Sequence, residues 1–216
     1  MNGTRTALWE LECRWTMGRV VPRDLLSTVG IDLRREAPRR RAYVLAVIRR
    51  RAEEIRDEHA ELPVDEPSEA MLALSATVLA TRETLLDVFT CGDDRTVAYL
   101  AHALGTVRRR PRGIGSMGLR EDPLGAIETA CRAEAPHYGE YVAIRYDRPG
   151  PDTFEMRVER CFFHDLFARR GVPGLTAAVC TWDAPWRRTA DGPPEAGGPS
   201  VTPLDDDACG FRVVRR

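Results

Sequence analysis

The chain has 216 residues, of which 43% are hydrophobic and 30% are charged, and its formal net charge at neutral pH is −1. This balance gives no indication of nucleic acid or a membrane surface as the main partner. Every basic residue of the 216 is arginine. A lysine Schiff base, and with it pyridoxal phosphate chemistry, is therefore excluded.

The cysteines and the apolar segments indicate the cellular compartment of the protein. The N-terminal residues lack the apolar run of a signal peptide. The most apolar window, residues 70–81, is shorter than the roughly 20 residues that span a bilayer. We therefore expect a cytoplasmic protein whose six cysteines are thiols, metal ligands or a nucleophile rather than disulfides.

Helical periodicity dominates residues 1–138. The lead-in, residues 1–30, is predicted to hold at most a short helix that breaks at Val20 to Pro22. Helices are predicted over about 34–61, 68–90, 94–109 and 124–134. Either Asp65 or Ser68 can cap the helix at 68–90. Its first half is apolar nearly all round, so we expect it in the middle of the fold.

After residue 138, the spacing of hydrophobic residues changes from helical to alternating. Alternation predicts strands at 140–146 and 153–161, which pair as a hairpin over 140–161. In the second strand, Phe154, Met156, Val158 and Arg160 are predicted to share one face, and Cys161 the other. Short helices (161–169 and 173–181), a Gly/Pro-rich loop or lid (184–200) and a closing hairpin (201–214) follow.

These elements predict one α+β domain over residues 1–216. Its mostly helical part, 1–138, is expected to pack on the small antiparallel sheet of a hairpin and helix part, 139–216. The sheet would consist of the hairpin at 140–161 and the closing hairpin at 201–214, with short helices between them.

The residues that can support chemistry are concentrated in this second part. Cys161 and His164 stand three residues apart at the head of a predicted helix, and Cys180 and Asp183 have the same spacing at the end of the next one. Cys209 comes shortly before the C-terminal strand. A thiol beside an imidazole or a helix N-terminus becomes a usable nucleophile, and an aspartate can orient the base or a water. One interpretation is therefore a cysteine-centred hydrolytic site.

Two other interpretations stay open. Cys161, Cys180 and Cys209, with Asp183 or His164, would also make a tetrahedral zinc site. None of these thiols, however, belongs to a C-x₂-C pair. Alternatively, the three cysteines are small buried hydrophobic residues at the ends of helices and strands.

The order of these residues resembles the L-2-amino-thiazoline-4-carboxylic acid hydrolase family. A hairpin ends in R-C and is followed by G-x-P-x-L, C-x-x-D and a closing C-x-F over about residues 139–216. The matching residues are Arg160, Cys161, Gly171, Pro173, Leu175, Cys180, Asp183, Cys209 and Phe211. The closing segment departs from the family, because V-T-P-L-D-D-D-A replaces a T-L-A-x-G-D-type run. The family is also similar to 4-vinyl-reductase-like ligand-binding domains, in which late cysteines can hold zinc.

The resemblance implies a hydrolase of non-peptide C–N bonds that opens a cyclic amidine such as 2-aminothiazoline-4-carboxylate, without a cofactor. It implies a Cys161 or Cys180 thiolate as nucleophile, assisted by His164 or Asp183. Arg160 and Arg145 of the hairpin are candidates to hold the substrate carboxylate. The departures in the closing segment suggest a tailoring enzyme of specialised metabolite biosynthesis. The alternative function is a non-catalytic small-molecule-binding domain with zinc.

Overall fold

The computed structural model of the chain describes residues 15–89, 92–107, 122–183, 200–203 and 209–214. These residues form an α+β fold, as predicted. The helices are a π-helical turn (Thr16–Val20), α1 (Val21–Glu36), α2 (Arg41–Glu58), α3 (Glu66–Phe89), α4 (Asp93–Thr106), α5 (Pro123–Glu134) with a 3₁₀ turn (Ala135–Tyr138), α6 (Phe162–Arg169) and α7 (Leu175–Asp183). The strands are β1 (Ala143–Gly150), β2 (Thr153–Arg160), β3 (Ser200–Pro203) and β4 (Gly210–Val214).

The chain divides into two compact units. The first unit consists of Met1–Arg109 and Phe162–Trp182, and the second of Arg110–Cys161 and Asp183–Arg216. Helices α6 and α7 thus group with α1 to α4, while α5 groups with the four strands. The expectation of a single domain with parts 1–138 and 139–216 stays a prediction.

Helix α3 is the centre of the first unit, as its apolar composition predicts. Buried side chains surround it, and it contacts α2, α4, α6 and the π-helical turn. Both residues predicted as alternative caps take part: the Ser68 amide donates to Asp65 Oδ1 at 2.9 Å, and the Asp65 amide donates to Ser68 Oγ at 3.0 Å. These reciprocal bonds satisfy amides that the first helical turn leaves unpaired. Among the described residues, no helix has the length and apolarity to cross a membrane.

The predicted break at Val20 to Pro22 is wrong, because α1 begins at Val21 and runs to Glu36. Pro22 lies in the first turn, where the missing amide proton has no helical partner to lose. Four apolar residues at four-residue spacing then bury one face of α1: Val21, Leu25, Val29 and Leu33.

The predicted helix over 34–61 is also two helices rather than one. Helix α1 ends at Glu36 and α2 begins at Arg41. Pro38 lies between them, and a proline both lacks the amide donor and disfavours a helical conformation in the residue before it.

The second unit is built on one four-stranded antiparallel sheet with the order β1-β2-β4-β3. Both predicted hairpins are present, although β1 begins at Ala143 and continues to Gly150. Strand β4 pairs with β2, which places Met156 opposite Phe211 and joins the two hairpins into one sheet. Helix α5 covers one face of this sheet, and the buried core there consists of Leu124, Ile127, Phe154, Phe211 and Val213. We call this the core face.

A β-bulge ends the regular pairing of β1 and β2. Ile144 pairs with Val158, whereas Ala143 pairs with Arg160, so Glu159 is an extra residue in β2. The bulge reverses the alternation of side chains beyond it. The prediction that Arg160 shares a face with Phe154, Met156 and Val158 is therefore wrong, because Arg160 lies with Ala143 on the outer face.

Candidate functional site

Cys161 occupies the link between a strand and a helix. Strand β2 ends at Arg160 and α6 begins at Phe162. Cys161 therefore lies at the predicted junction of strand and helix, but it precedes the helix instead of being its first residue. Its side chain is half-buried. A helix N-terminus presents unpaired amide groups and the positive end of the helix dipole, which favour a negatively charged group. This position suits a thiolate that must also be reached by a small molecule.

Cys209 lies at the same end of the β2–β4 pair. The Val158 amide donates to the Cys209 carbonyl at 2.7 Å, which extends the strand pairing by one residue. Cys209 is half-buried, and alternation places it on the core face with Phe211 and Val213. Cys161 directly follows β2, so two of the three predicted cysteine positions lie at the same end of the sheet.

Cys131 also lies on the core face, and no role was predicted for it from the sequence. It packs, half-buried, against the core cluster of the second unit. The Tyr146 hydroxyl donates to its carbonyl at 3.1 Å, which fixes this part of α5 over β1. The spacing of Leu124, Ile127 and Cys131 was the available indication, because residues three and seven apart share a helix face.

Cys180 and His164 belong to the first unit. Cys180 lies on α7 with only 8% of its surface exposed, next to the fully buried Ala178 and Val179. His164 lies on α6 and is exposed. Asp183 is the last residue of α7, and its side chain lies outside the described part of the chain. A buried thiol is poorly accessible to a small molecule, and Cys180 is buried whereas Cys161 is half-buried.

The two arginines expected to bind a carboxylate have protein partners. The Arg160 guanidinium donates from Nε to the Tyr141 carbonyl and from Nη2 to the Glu140 carbonyl at 2.9 Å. It also stacks on the Tyr141 ring at 5.1 Å. Arg145 forms an ion pair with Asp147 at 2.8 Å. Arg160 therefore holds the segment that leads into β1.

Arg145 and Arg160 share the outer face of the sheet. Arg145 neighbours Ile144, which is on the core face with Val158, and consecutive strand residues point to opposite faces. Cys209 lies on the core face. The sheet therefore separates both arginines from Cys209.

An ion-paired glutamate fastens α5 to the sheet. Glu128 accepts from Arg148 Nε at 2.6 Å and from Arg132 Nε at 2.9 Å. Burial acts to raise the pKa of Glu128, but the bonds from the two arginines outweigh it, and the pKa is lowered. Arg132 also stacks on the Tyr146 ring at 4.7 Å. These contacts hold the helix that carries Cys131.

The structure describes the side chains of all the predicted zinc ligands except Asp183. Within residues 15–89, 92–107, 122–183, 200–203 and 209–214, no three His, Cys, Asp or Glu side chains form a group that could hold a metal ion. The predicted zinc set includes Asp183, whose side chain is not described. The predicted lid, residues 184–200, lies outside the described residues except at Ser200.

Comparisons with protein-family models, with curated proteins and with solved structures found no match for this chain. The resemblance to the amino-thiazoline-carboxylate hydrolases therefore stays a prediction that depends on the residues quoted for it.

Proposed function

We propose that the chain is a hydrolase that opens a cyclic amidine of the 2-aminothiazoline-4-carboxylate type, with the Cys161 thiolate as nucleophile. The observation that supports this choice is the position of Cys161, half-buried and directly before α6. Cys180 is buried, so a substrate would reach it less easily. A reducing compartment such as the cytoplasm would keep Cys161 as a thiol.

The proposed chemistry starts at the amidine carbon. Cys161 Sγ attacks this carbon, and the C=N electron pair moves to the ring nitrogen, which takes a proton. Collapse of the adduct breaks the ring C–S bond, expels the ring sulfur as a thiolate and leaves the carbon on Sγ as an isothiourea. Water then adds to the same carbon. Departure of the Cys161 thiolate gives N-carbamoyl cysteine.

This product keeps both nitrogens on the original carbon. For a 2-aminothiazoline, ring opening therefore breaks the C–S bond while the C=N bond is hydrated. A C–N bond would break only in a cyclic amidine whose leaving heteroatom is nitrogen. A comparison of the two ring types would show which bond this site cleaves.

Proton transfer and substrate anchoring complete the proposal. His164 follows Cys161 by three residues and is exposed, so we assign it the proton from the thiol and the activation of water. We assign to Asp183 the role of orienting His164 or the attacking water. Arg160 and Arg145 are assigned the substrate carboxylate. Arg160 uses Nε and Nη2 for backbone carbonyls, although a guanidinium has five N–H donors.

The test is turnover of 2-aminothiazoline-4-carboxylate, with N-carbamoyl cysteine detected by mass spectrometry. Cys161→Ser is expected to lower kcat/KM by at least ~10³-fold, since a serine hydroxyl is a far weaker nucleophile. Cys131→Ser is the matched control, a half-buried thiol of the same unit, and should keep activity within a few-fold. Cys180→Ala should behave like the control. Full activity of Cys161→Ser would refute the thiol mechanism.

The second candidate is a non-catalytic small-molecule-binding domain that contains structural zinc. The observation in its favour is the placement of Cys161 and Cys209 at one end of the β2–β4 pair. The remaining ligands of this set, Cys180 and Asp183 or His164, are predicted from the sequence. About one zinc per chain that survives dialysis and is lost in Cys209→Ser would favour this function over hydrolysis.

A further inference from the structure

A cavity of about 420 Å³ opens in the first unit, among α1, the end of α3 and the start of α4. Its volume falls within the range of small-molecule sites, about 300–1,000 Å³. The walls are mainly apolar and come from Val29 and Leu33 of α1 and from Leu85 and Phe89 of α3. Such walls suit an apolar ring or chain.

Two groups of this cavity form a fixed polar pair. The Tyr99 hydroxyl donates to Asp32 Oδ2 at 2.8 Å, across 67 residues of sequence. Burial and then the neighbouring Asp32 raise the pKa of Tyr99, so the phenol keeps its proton and continues to donate. The bond orients the carboxylate and uses Oδ2, so that Oδ1 can accept from a ligand.

The charge of the cavity favours a cation. Asp32 and Glu36 lie one helical turn apart on α1, and both line the cavity. Glu36 is the last residue of α1, where the unpaired carbonyls and the helix dipole add negative potential. Among the described residues that line the cavity, Arg95 is the one cationic side chain. Two carboxylates against one guanidinium leave the site net negative.

We propose that this cavity binds a small molecule in which a protonated amine is attached to an apolar body. The ammonium group would donate to Asp32 Oδ1 and lie near Glu36, while the apolar body would pack on Leu33, Leu85 and Phe89. This site goes beyond the proposed hydrolysis, whose substrate is anchored by a carboxylate, and it belongs to a different set of elements from Cys161.

The test uses tryptamine as the probe, with binding measured by isothermal titration calorimetry on the full chain. Saturable binding with a Kd below about 1 mM is expected. Indole-3-propionate has an ethylene-linked carboxylate on the same indole ring, and it should not bind saturably. Asp32→Asn should weaken tryptamine binding by about tenfold or more, the value of a hydrogen bond to a charged group.

Two further variants keep the test decisive. Asp24→Asn removes a carboxylate from the same helix that is paired with exposed Arg23, so tryptamine affinity should not change. Glu36→Lys reverses a charge at an exposed position and should weaken binding by about tenfold even if Asp32→Asn does not fold. No binding of tryptamine, equal binding of indole-3-propionate, or unchanged affinity in Glu36→Lys or in a folded Asp32→Asn would overturn the proposal.

Discussion

Replacement of Arg170 by methionine tests how the helix that follows Cys161 is held in the first unit. Arg170 comes directly after α6, and its guanidinium donates to Glu58 Oε2 at 2.6 Å and to Glu83 Oε1 at 2.9 Å. Glu83 in turn accepts from Arg51 Nε at 2.7 Å. The network therefore fastens the end of α6 to both α2 and α3.

The structure sets the size of the expected loss. The side chains of Arg170, Glu83 and Glu58 are 22%, 31% and 41% exposed, so solvent screens the network in part. An exposed ion pair contributes about 0–1 kcal/mol, and a hydrogen bond to a buried charge about 1.5–3 kcal/mol. We expect Arg170→Met to lower the free energy of unfolding by about 1–2 kcal/mol, or Tm by roughly 2–8 °C for a chain of this length.

The loss should depend on pH with a definite sign. Burial acts to raise the pKa of Glu83, but the hydrogen bonds from Arg51 and Arg170 outweigh it and lower the pKa. The pKa of Glu58 is lowered too, chiefly by Arg51. A depressed carboxylate pKa stabilises the folded state above the unfolded pKa, and this contribution is lost as the pH falls through the folded pKa. The deficit of Arg170→Met should be complete near neutral pH and shrink below about pH 4.

Urea and thermal unfolding followed by far-UV circular dichroism measure both effects. The control is Arg169→Met, which removes an exposed arginine at the neighbouring position and should change stability by less than about 0.5 kcal/mol. Equal stability of the two variants at neutral pH would refute the reasoning. So would a deficit of Arg170→Met that is unchanged at pH 3.

Asp65→Ala removes the cap of α3 and should lower the free energy of unfolding, measured in urea, by about 1 kcal/mol. A decrease below about 0.3 kcal/mol would contradict the reciprocal bonding with Ser68. Phe154→Ala should lower the free energy of unfolding by about 3–5 kcal/mol, because Phe154 is fully buried between Tyr146 and Phe211. Limited proteolysis of this variant should cut the sheet first. Protease resistance equal to that of the wild type would count against this packing. Iodoacetamide should modify buried Cys180 more slowly than Cys161 in the native protein. Peptide mapping by mass spectrometry measures both rates. Faster modification of Cys180 would contradict its burial.

Local signals explain what the sequence could predict. The cap at Asp65 and the apolar run of α3 depend on residues within a few positions of one another, and both are present. The alternation of β2 and of β4 likewise identified the strands of the sheet. Pro22 led to a wrong prediction because the same residue that breaks a helix interior is tolerated in its first turn.

Features that depend on distant residues could not be predicted in this way. The bulge at Glu159 is set by the pairing with β1. The consecutive polar residues Glu159 and Arg160 interrupt the alternation, but this pattern does not distinguish a bulge from the end of a strand. The polar pair of the cavity consists of Asp32 and Tyr99, which lie on different helices. Only the packing of those helices brings the two side chains together.

The most direct measurement of the proposed thiol chemistry is the mass of the enzyme during turnover. Rapid mixing with 2-aminothiazoline-4-carboxylate, an acid quench and peptide mapping would detect the isothiourea intermediate. The proposal predicts an adduct of the mass of one substrate on Cys161, absent in Cys161→Ser and retained in Cys131→Ser. Formation of N-carbamoyl cysteine by Cys161→Ser at the wild-type rate, or an adduct that maps only to another cysteine, would contradict it.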